Sequence, residues 1–190
     1  MSMNDTSSLL SHLQTRRSAS PRDLVAPGPD AGQLGEILQL AARTPDHGRL
    51  VPYRFVIIED RAALADLFEA GVVADEPDAD AAKRAKFRDK AQWAPTLVAL
   101  VAAPIEAHKI PVWEQELTVG AVGMNLLHAA HAHGFVGGWI TGAQSYAPGV
   151  VEALCKGGER IAGFFYLGTP SHPLDERERP DMEAIVSRWP

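Results

Sequence analysis

The residues best suited to chemistry fall in a few short stretches. Arg16-Arg17-Ser18 sets two guanidiniums beside a hydroxyl. Such a set can grip a phosphate, because arginine offers planar, bidentate donors. The stretch closes a helical segment, and a helix C-terminus repels anions, so the arginines themselves would have to supply the binding; cations that simply complement the helix dipole account for the same pattern. Arg43 and His47 flank Thr44-Pro-Asp46, a loop between two buried elements. Loops held by rigid elements are where sites tend to sit, and an imidazole there can donate or accept near neutral pH. An ordinary turn through Asp46 and Gly48 accounts for the same pattern.

His128, His131 and His133 invite a metal reading. The first two are spaced i, i+3 and share a helix face, whereas His133 points elsewhere. No carboxylate accompanies them; Glu116 lies about three turns back. Polar or interface histidines near a helix end account for the cluster, with a metal-dependent hydrolase on His128 and His131 as the alternative. The single cysteine, Cys155, excludes an intrachain disulfide and a multi-cysteine zinc site, and reads as a structural thiol rather than a nucleophile. The chain has no Gly-x-Ser-x-Gly elbow and no Walker loop. Gly134-Phe-Val-Gly-Gly138 lacks the Rossmann spacing, which does not exclude a flavin, since FMN has no adenosine half to recognise.

The elements that must position these residues follow from periodicity. Ser7 to Arg17 reads as a helix with Leu9, Leu10 and Leu13 on one face. Asp30 opens a second helix, with Gln33 completing a capping box. Tyr53 to Ile58 and Thr96 to Ala102 read as strands buried on both faces. Between them lie a helix from Arg61 to Gly71 and a highly charged one from Ala81 to Trp93, within a solvated excursion spanning 75–94. The helix from Trp113 to His133 is long, poor in charge and rich in small residues, which predicts a buried core or interface helix. Val136 to Thr141 is a third strand, whose glycines suggest close approach of backbone or ligand. A short helix from Tyr146 to Cys155 and a strand from Ile161 to Leu167 follow. The tail, 171–190, ends with Ile185, Val186 and Trp189, which suggests packing on a partner chain.

With 190 residues, 46% apolar and 22% charged, the chain predicts one globular domain. Its net charge of -6 argues against nucleic acid as a partner. Neither a signal-peptide layout nor an 18-residue apolar run occurs, so no membrane is expected and a cytoplasmic location is. Helices outnumber strands, which predicts an α+β three-layer α-β-α sandwich around a small, mostly antiparallel sheet.

Taken in order, these blocks resemble the nitroreductase family of FMN-dependent oxidoreductases, and most of all its short bacterial NAD(P)H subgroup. The resemblance rests on Arg16-Arg17-Ser18-Ala-Ser20, Arg43-Thr-Pro-Asp-His47-Gly, Pro52-Tyr-Arg-Phe-Val-Ile-Ile58, Trp113-Glu-Gln-Glu116, Gly134-Phe-Val-Gly-Gly-Trp139 and Gly163-Phe-Phe-Tyr-Leu-Gly-Thr-Pro170. It implies a domain-entwined homodimer with FMN at the subunit interface. Arg16, Arg17 and Ser18 would bind the phosphate and ribityl end, and Trp139, Ile140 and Thr141 would line the flavin. Arg43 and His47 would reach it from the partner, where either could stabilise negative charge. The nicotinamide cofactor would fall near Ala129 to Gly134. The implied reaction is ping-pong hydride transfer from NAD(P)H to a nitroaromatic or quinone-type acceptor; a flavin-binding redox protein with another substrate is the alternative. The flavin carries that chemistry, so no protein residue is nominated as catalytic. Two departures stand out. Ser20-Pro21 occupies the place where many members carry a basic residue, and Thr141-Gly-Ala143 that of a Pro-x-Glu-Gly turn.

Overall fold

A computed structural model describes residues 3–190. The helices are α1 (Leu9–Thr15), α2 (Ala31–Ala41), α3 (Arg61–Asp75), α4 (Ala81–Gln92), α5 (Val112–Ala132), α6 (Ala143–Tyr146), α7 (Pro148–Leu154) and α8 (Met182–Ile185). The strands are β1 (Leu24–Val25), β2 (Tyr53–Ile57), β3 (Thr96–Ala102), β4 (Val136–Ile140) and β5 (Arg160–Pro170). Local chemistry sets the starts. Ser8 caps α1 by accepting from the Ser11 N–H at 3.0 Å. Asp30 and Gln33 close the expected capping box on α2. Gly134, at φ +84, ends α5 in the left-handed region that glycine enters at no steric cost.

The long strand β5 organises the sheet. It pairs with β3 along one side and with β4, then β1, along the other, while β2 adds to the far side of β3; every pairing is antiparallel. Strand alternation separates two cores. Val98, Leu100, Phe165 and Leu167 face α2 and α5, where they meet Ile37, Val122 and Leu126. Leu97, Ala99, Phe164 and Tyr166 face the opposite way, onto Leu64 and Phe68 of α3, Ala91 of α4 and Val150 of α7. The result is the α-β-α sandwich that the sequence pattern predicts.

Three details depart from or extend the sequence reading. β2 is half-buried rather than buried on both faces, because it is the last strand of the sheet and pairs only with β3. Its Arg54 turns outward, and Nε donates to both carboxylate oxygens of Glu159 at 3.0 Å. The charged helix α4 is docked on α3: Arg88 bridges Glu69 at 2.7 Å and Asp66 at 2.6 Å, while Lys90 Nζ lies 3.8 Å from the Phe87 ring centroid. β1, α6 and α8 are too short for periodicity to reveal. Among the described residues no helix is long and apolar enough to cross a membrane.

The glycines of β4 are explained by protein packing. A Cβ on Gly138 would sit 2.7 Å from the Ala19 carbonyl oxygen, and one on Gly137 would meet the Leu127 and Leu167 side chains. Because the obstacle at Gly138 is backbone, Gly138→Ala should cost about 1–3 kcal/mol. Gly35→Ala, in open space on α2, should be neutral or stabilise by up to ~1 kcal/mol. Urea unfolding of the two variants checks both.

Candidate functional site

At the end of α1 the Arg16 N–H donates to the His12 carbonyl at 2.8 Å, and the chain then turns extended. Ala19 N–H reaches the Gly137 carbonyl at 3.3 Å, which lays this stretch along the start of β4. Arg16 Nη1 donates to Ser18 Oγ at 3.3 Å, and Arg17 Nη1 to the Ser18 carbonyl at 3.2 Å. The C-terminal tail folds back over them. Arg17 Nε donates to the Asp175 carbonyl at 2.8 Å, and Arg179 Nη2 donates to Glu176 Oε1 at 2.7 Å and to the Arg16 carbonyl at 3.5 Å. Glu176 also lies 3.9 Å from Arg17. Three guanidiniums thus gather around one carboxylate, a surplus that suits an anion. Burial, then Arg179 and Arg17, push the Arg16 guanidinium below its ordinary value, with Glu176 opposing. Sequence reasoning missed Arg179 and Glu176, because nothing in the polar tail signals that it returns to α1.

Trp139, Ile140 and Thr141 sit at the far end of β4. The Trp139 indole stacks on Phe165, with ring centroids 5.0 Å apart and planes 28° apart, and its Nε1 donates to the Ala162 carbonyl at 3.2 Å. Gly123 of α5 makes room: a Cβ there would lie 3.0 Å from the indole and 2.8 Å from Phe165. Ile140 pairs with Phe164 in the sheet. Trp139 and Thr141 border a cavity of about 340 Å³, shared with Glu116, Gly120, Tyr146 and Arg160. Glu116 and Arg160 form an ion pair at its rim.

Arg43 and His47 are exposed, on a loop fastened to α5. Thr44 Oγ1 donates to the Ala41 carbonyl at 3.0 Å and accepts from Asn125 Nδ2 at 2.8 Å. Thr118 Oγ1 donates to the Pro45 carbonyl at 3.4 Å, and His47 Nδ1 lies 2.7 Å from Glu114 Oε2. At ~100° per residue, Glu114, Thr118 and Asn125 cluster within about 40° around α5, whereas Gly123, where Trp139 packs, is roughly 160° away. The body of α5 therefore stands between the Arg43–His47 loop and Trp139. One chain joins Arg16–Ser18 to β4, but it does not bring Arg43 and His47 to Trp139.

The histidines gather with a member that sequence reasoning did not single out. His12 Nε2 lies 2.7 Å from His128 Nδ1, and the His12 ring centroid is 5.3 Å from that of His131. His131 is only 2% exposed, and both its ring nitrogens lack a partner, as does His12 Nδ1. Burial pushes all three imidazoles below their ordinary value, His131 to about 3. His133 instead faces Glu36 at 3.5 Å. Among the described residues no three His, Cys, Asp or Glu side chains are placed to hold a metal ion. Cys155 is a free, half-buried thiol that burial and Glu159 push upward.

This layered architecture is that of the nitroreductase-like proteins. A nitroreductase-like family protein from Bacillus cereus superposes with a TM-score of 0.83 over 99% of both chains, at 20% identity. A nitroreductase from Desulfovibrio desulfuricans, described as a complex with FMN, superposes with a TM-score of 0.71 over 95% of this chain and 96% of its own, at 18% identity. The nitroreductase family model matches residues 13–169, and the chain belongs to that family. It is 41% identical over 164 residues to the Escherichia coli protein named "Putative NAD(P)H nitroreductase YdjA", spanning 83% of this chain and 86% of that one.

The buried imidazoles carry a pH consequence. Unfolded, they titrate near 6.5; folded, His131 titrates near 3. The unfolded chain therefore binds more protons between those values, so stability is full above about pH 6.5 and falls as pH drops toward 3, by on the order of a few kcal/mol. Thermal unfolding should show a shallower acid loss for His131→Leu than for the unsubstituted protein. Equal slopes would contradict a neutral, buried His131.

Proposed function

We propose that the chain is an NAD(P)H-dependent flavin oxidoreductase that reduces nitroaromatic or quinone-type acceptors by a ping-pong scheme, working in the cytoplasm as a homodimer with FMN at the interface. The observation that carries this reading is the cluster of Arg16, Arg17 and Arg179 around the single carboxylate of Glu176. A phosphate monoester, with about two negative charges at neutral pH, suits that surplus.

Arg16, Arg17 and Ser18 would hold the phosphate and ribityl end, with Arg179 assisting. Trp139, Ile140 and Thr141 would line the ring, and the partner subunit's Arg43 and His47 would close it. When bound, FMN supplies the hydride-accepting and hydride-donating chemistry; the protein contributes orientation and fixed charge. The indole of Trp139 is held rigid by Phe165 and its own hydrogen bond, which makes a firm wall. The cavity of about 340 Å³ next to it has room for a flat aromatic acceptor. A second copy is supported by the exposed apolar side chains of Leu9, Leu10 and Leu13 on α1, Trp113 and Leu117 on α5, and Trp189 in the tail.

Purified protein should show flavin absorption bands that bleach when NAD(P)H is added without oxygen. Arg16→Ala should weaken FMN retention by roughly 10- to 100-fold, the loss of a charge-assisted contact. Cys155→Ser should change neither property. An Arg16→Ala protein with undiminished flavin content would overturn the phosphate assignment.

A further inference from the structure

The assignment of the phosphate to Arg16 leaves an unusual neighbour without a role. His12 lies one turn before Arg16 on α1, and its ring contacts both His128 and His131 where α1 crosses the second half of α5. A cavity of about 480 Å³ opens beside them, walled by Leu9, Leu13 and Leu40 and also lined by Asn125.

The charges around the cluster are one-sided. From α1 it faces Arg16, and from α5 only its own imidazoles; these are the groups whose charge acts on it. Glu36 of α2 is turned to His133, 3.5 Å away. Asp5, in the segment before α1, accepts from the Ser7 N–H at 2.9 Å. Glu176 and Arg179 of the tail act on Arg16. No carboxylate among the described residues balances the imidazoles. Buried polar nitrogens without partners, beside a cation that shares the carboxylate of Glu176 with Arg17 and Arg179, are costly unless something negative arrives.

We propose that the His12–His128 pair is a proton site coupled to anion binding at Arg16: when a phosphate monoester dianion settles there, the pair takes up a proton that the free protein does not hold. The inference rests on the assignment of the FMN phosphate to Arg16. In the neutral pair one N–H and one lone pair are spent on the 2.7 Å contact, which leaves one lone pair open to a proton. Without an anion, burial and Arg16 keep that lone pair empty near neutral pH. A dianion at Arg16 cancels the repulsion and adds attraction, so proton and phosphate bind cooperatively. His131, buried more deeply than either, stays neutral. The sign follows from linkage: a proton taken up on binding tightens FMN as pH falls.

The test measures FMN dissociation from the full-length protein by equilibrium dialysis between about pH 6 and pH 8, the range of imidazole titration, beside riboflavin, which lacks the phosphate. Subjects are the unsubstituted protein, His128→Asn, His128→Gln and Arg16→Ala; the glutamine variant serves if the asparagine variant does not fold. The phosphate's own second ionisation, near pH 6, affects all of them alike, so the difference in slope reports the pair. The expected result is an FMN dissociation constant that falls by ~3- to 10-fold more per pH unit in the unsubstituted protein than in the His128 variants, with no such difference for riboflavin. Equal slopes, with Arg16→Ala still weakening FMN, would overturn the proton coupling alone. Undiminished FMN binding in Arg16→Ala would overturn the phosphate assignment, and the coupling with it.

Discussion

The packing of α5 against the sheet is the constraint on which the rest depends. Gly123 lets Phe165 and the Trp139 indole approach one side of the helix, closer than any side chain would allow. On nearly the opposite side, Glu114, Thr118 and Asn125 fasten the Arg43–His47 loop. With the helix fixed between them, Trp139 and the Arg43–His47 loop cannot meet within one chain. In the proposed dimer, the exposed apolar side chains of α1 and α5 would be the surface through which a second chain supplies what the first keeps apart.

Electrostatics gives that arrangement its direction. The residues after α1 run extended beside β4, and the tail adds Arg179 and Glu176, so positive charge collects where α1 ends. Helix dipoles do not favour anions at such a place, so the guanidiniums must supply the attraction. The imidazoles of His12, His128 and His131 stand close by, His12 and His131 buried, His128 half-buried, and without a carboxylate of their own. On the proposed reading, stability in acid and affinity for a phosphate would depend on the same few side chains.

Much of this was legible in the sequence because it is local. The capping box at Asp30, the near-continuous apolar run of Thr96 to Ala102 and the small-residue run of α5 each encode their own structure. Glycines at 137 and 138 signalled a close approach, but not that the Ala19 carbonyl and core leucines, rather than a ligand, make it. What stayed hidden is long-range. The tail returns to Arg17 across more than a hundred residues, and His12 meets His128 from an exposed-looking amphipathic helix. β2 carried the composition of a buried strand yet ended the sheet, since burial depends on which strand pairs last. The chemistry of Arg16-Arg17-Ser18 was visible as residue types; its convergence with Arg179 required the fold.

The central claim is that the site is completed across two protomers, and subunit mixing tests it directly. An Arg16→Ala protein and an Arg43→Ala/His47→Ala protein, each low in FMN alone, are unfolded, combined in equal amounts and refolded together. Random pairing makes about half the dimers mixed, each with one intact site of two. Flavin content should therefore recover to about a quarter of that of the unsubstituted protein, with NAD(P)H-driven bleaching in proportion. No recovery from the mixture, with both parents folded and dimeric, would contradict a shared site.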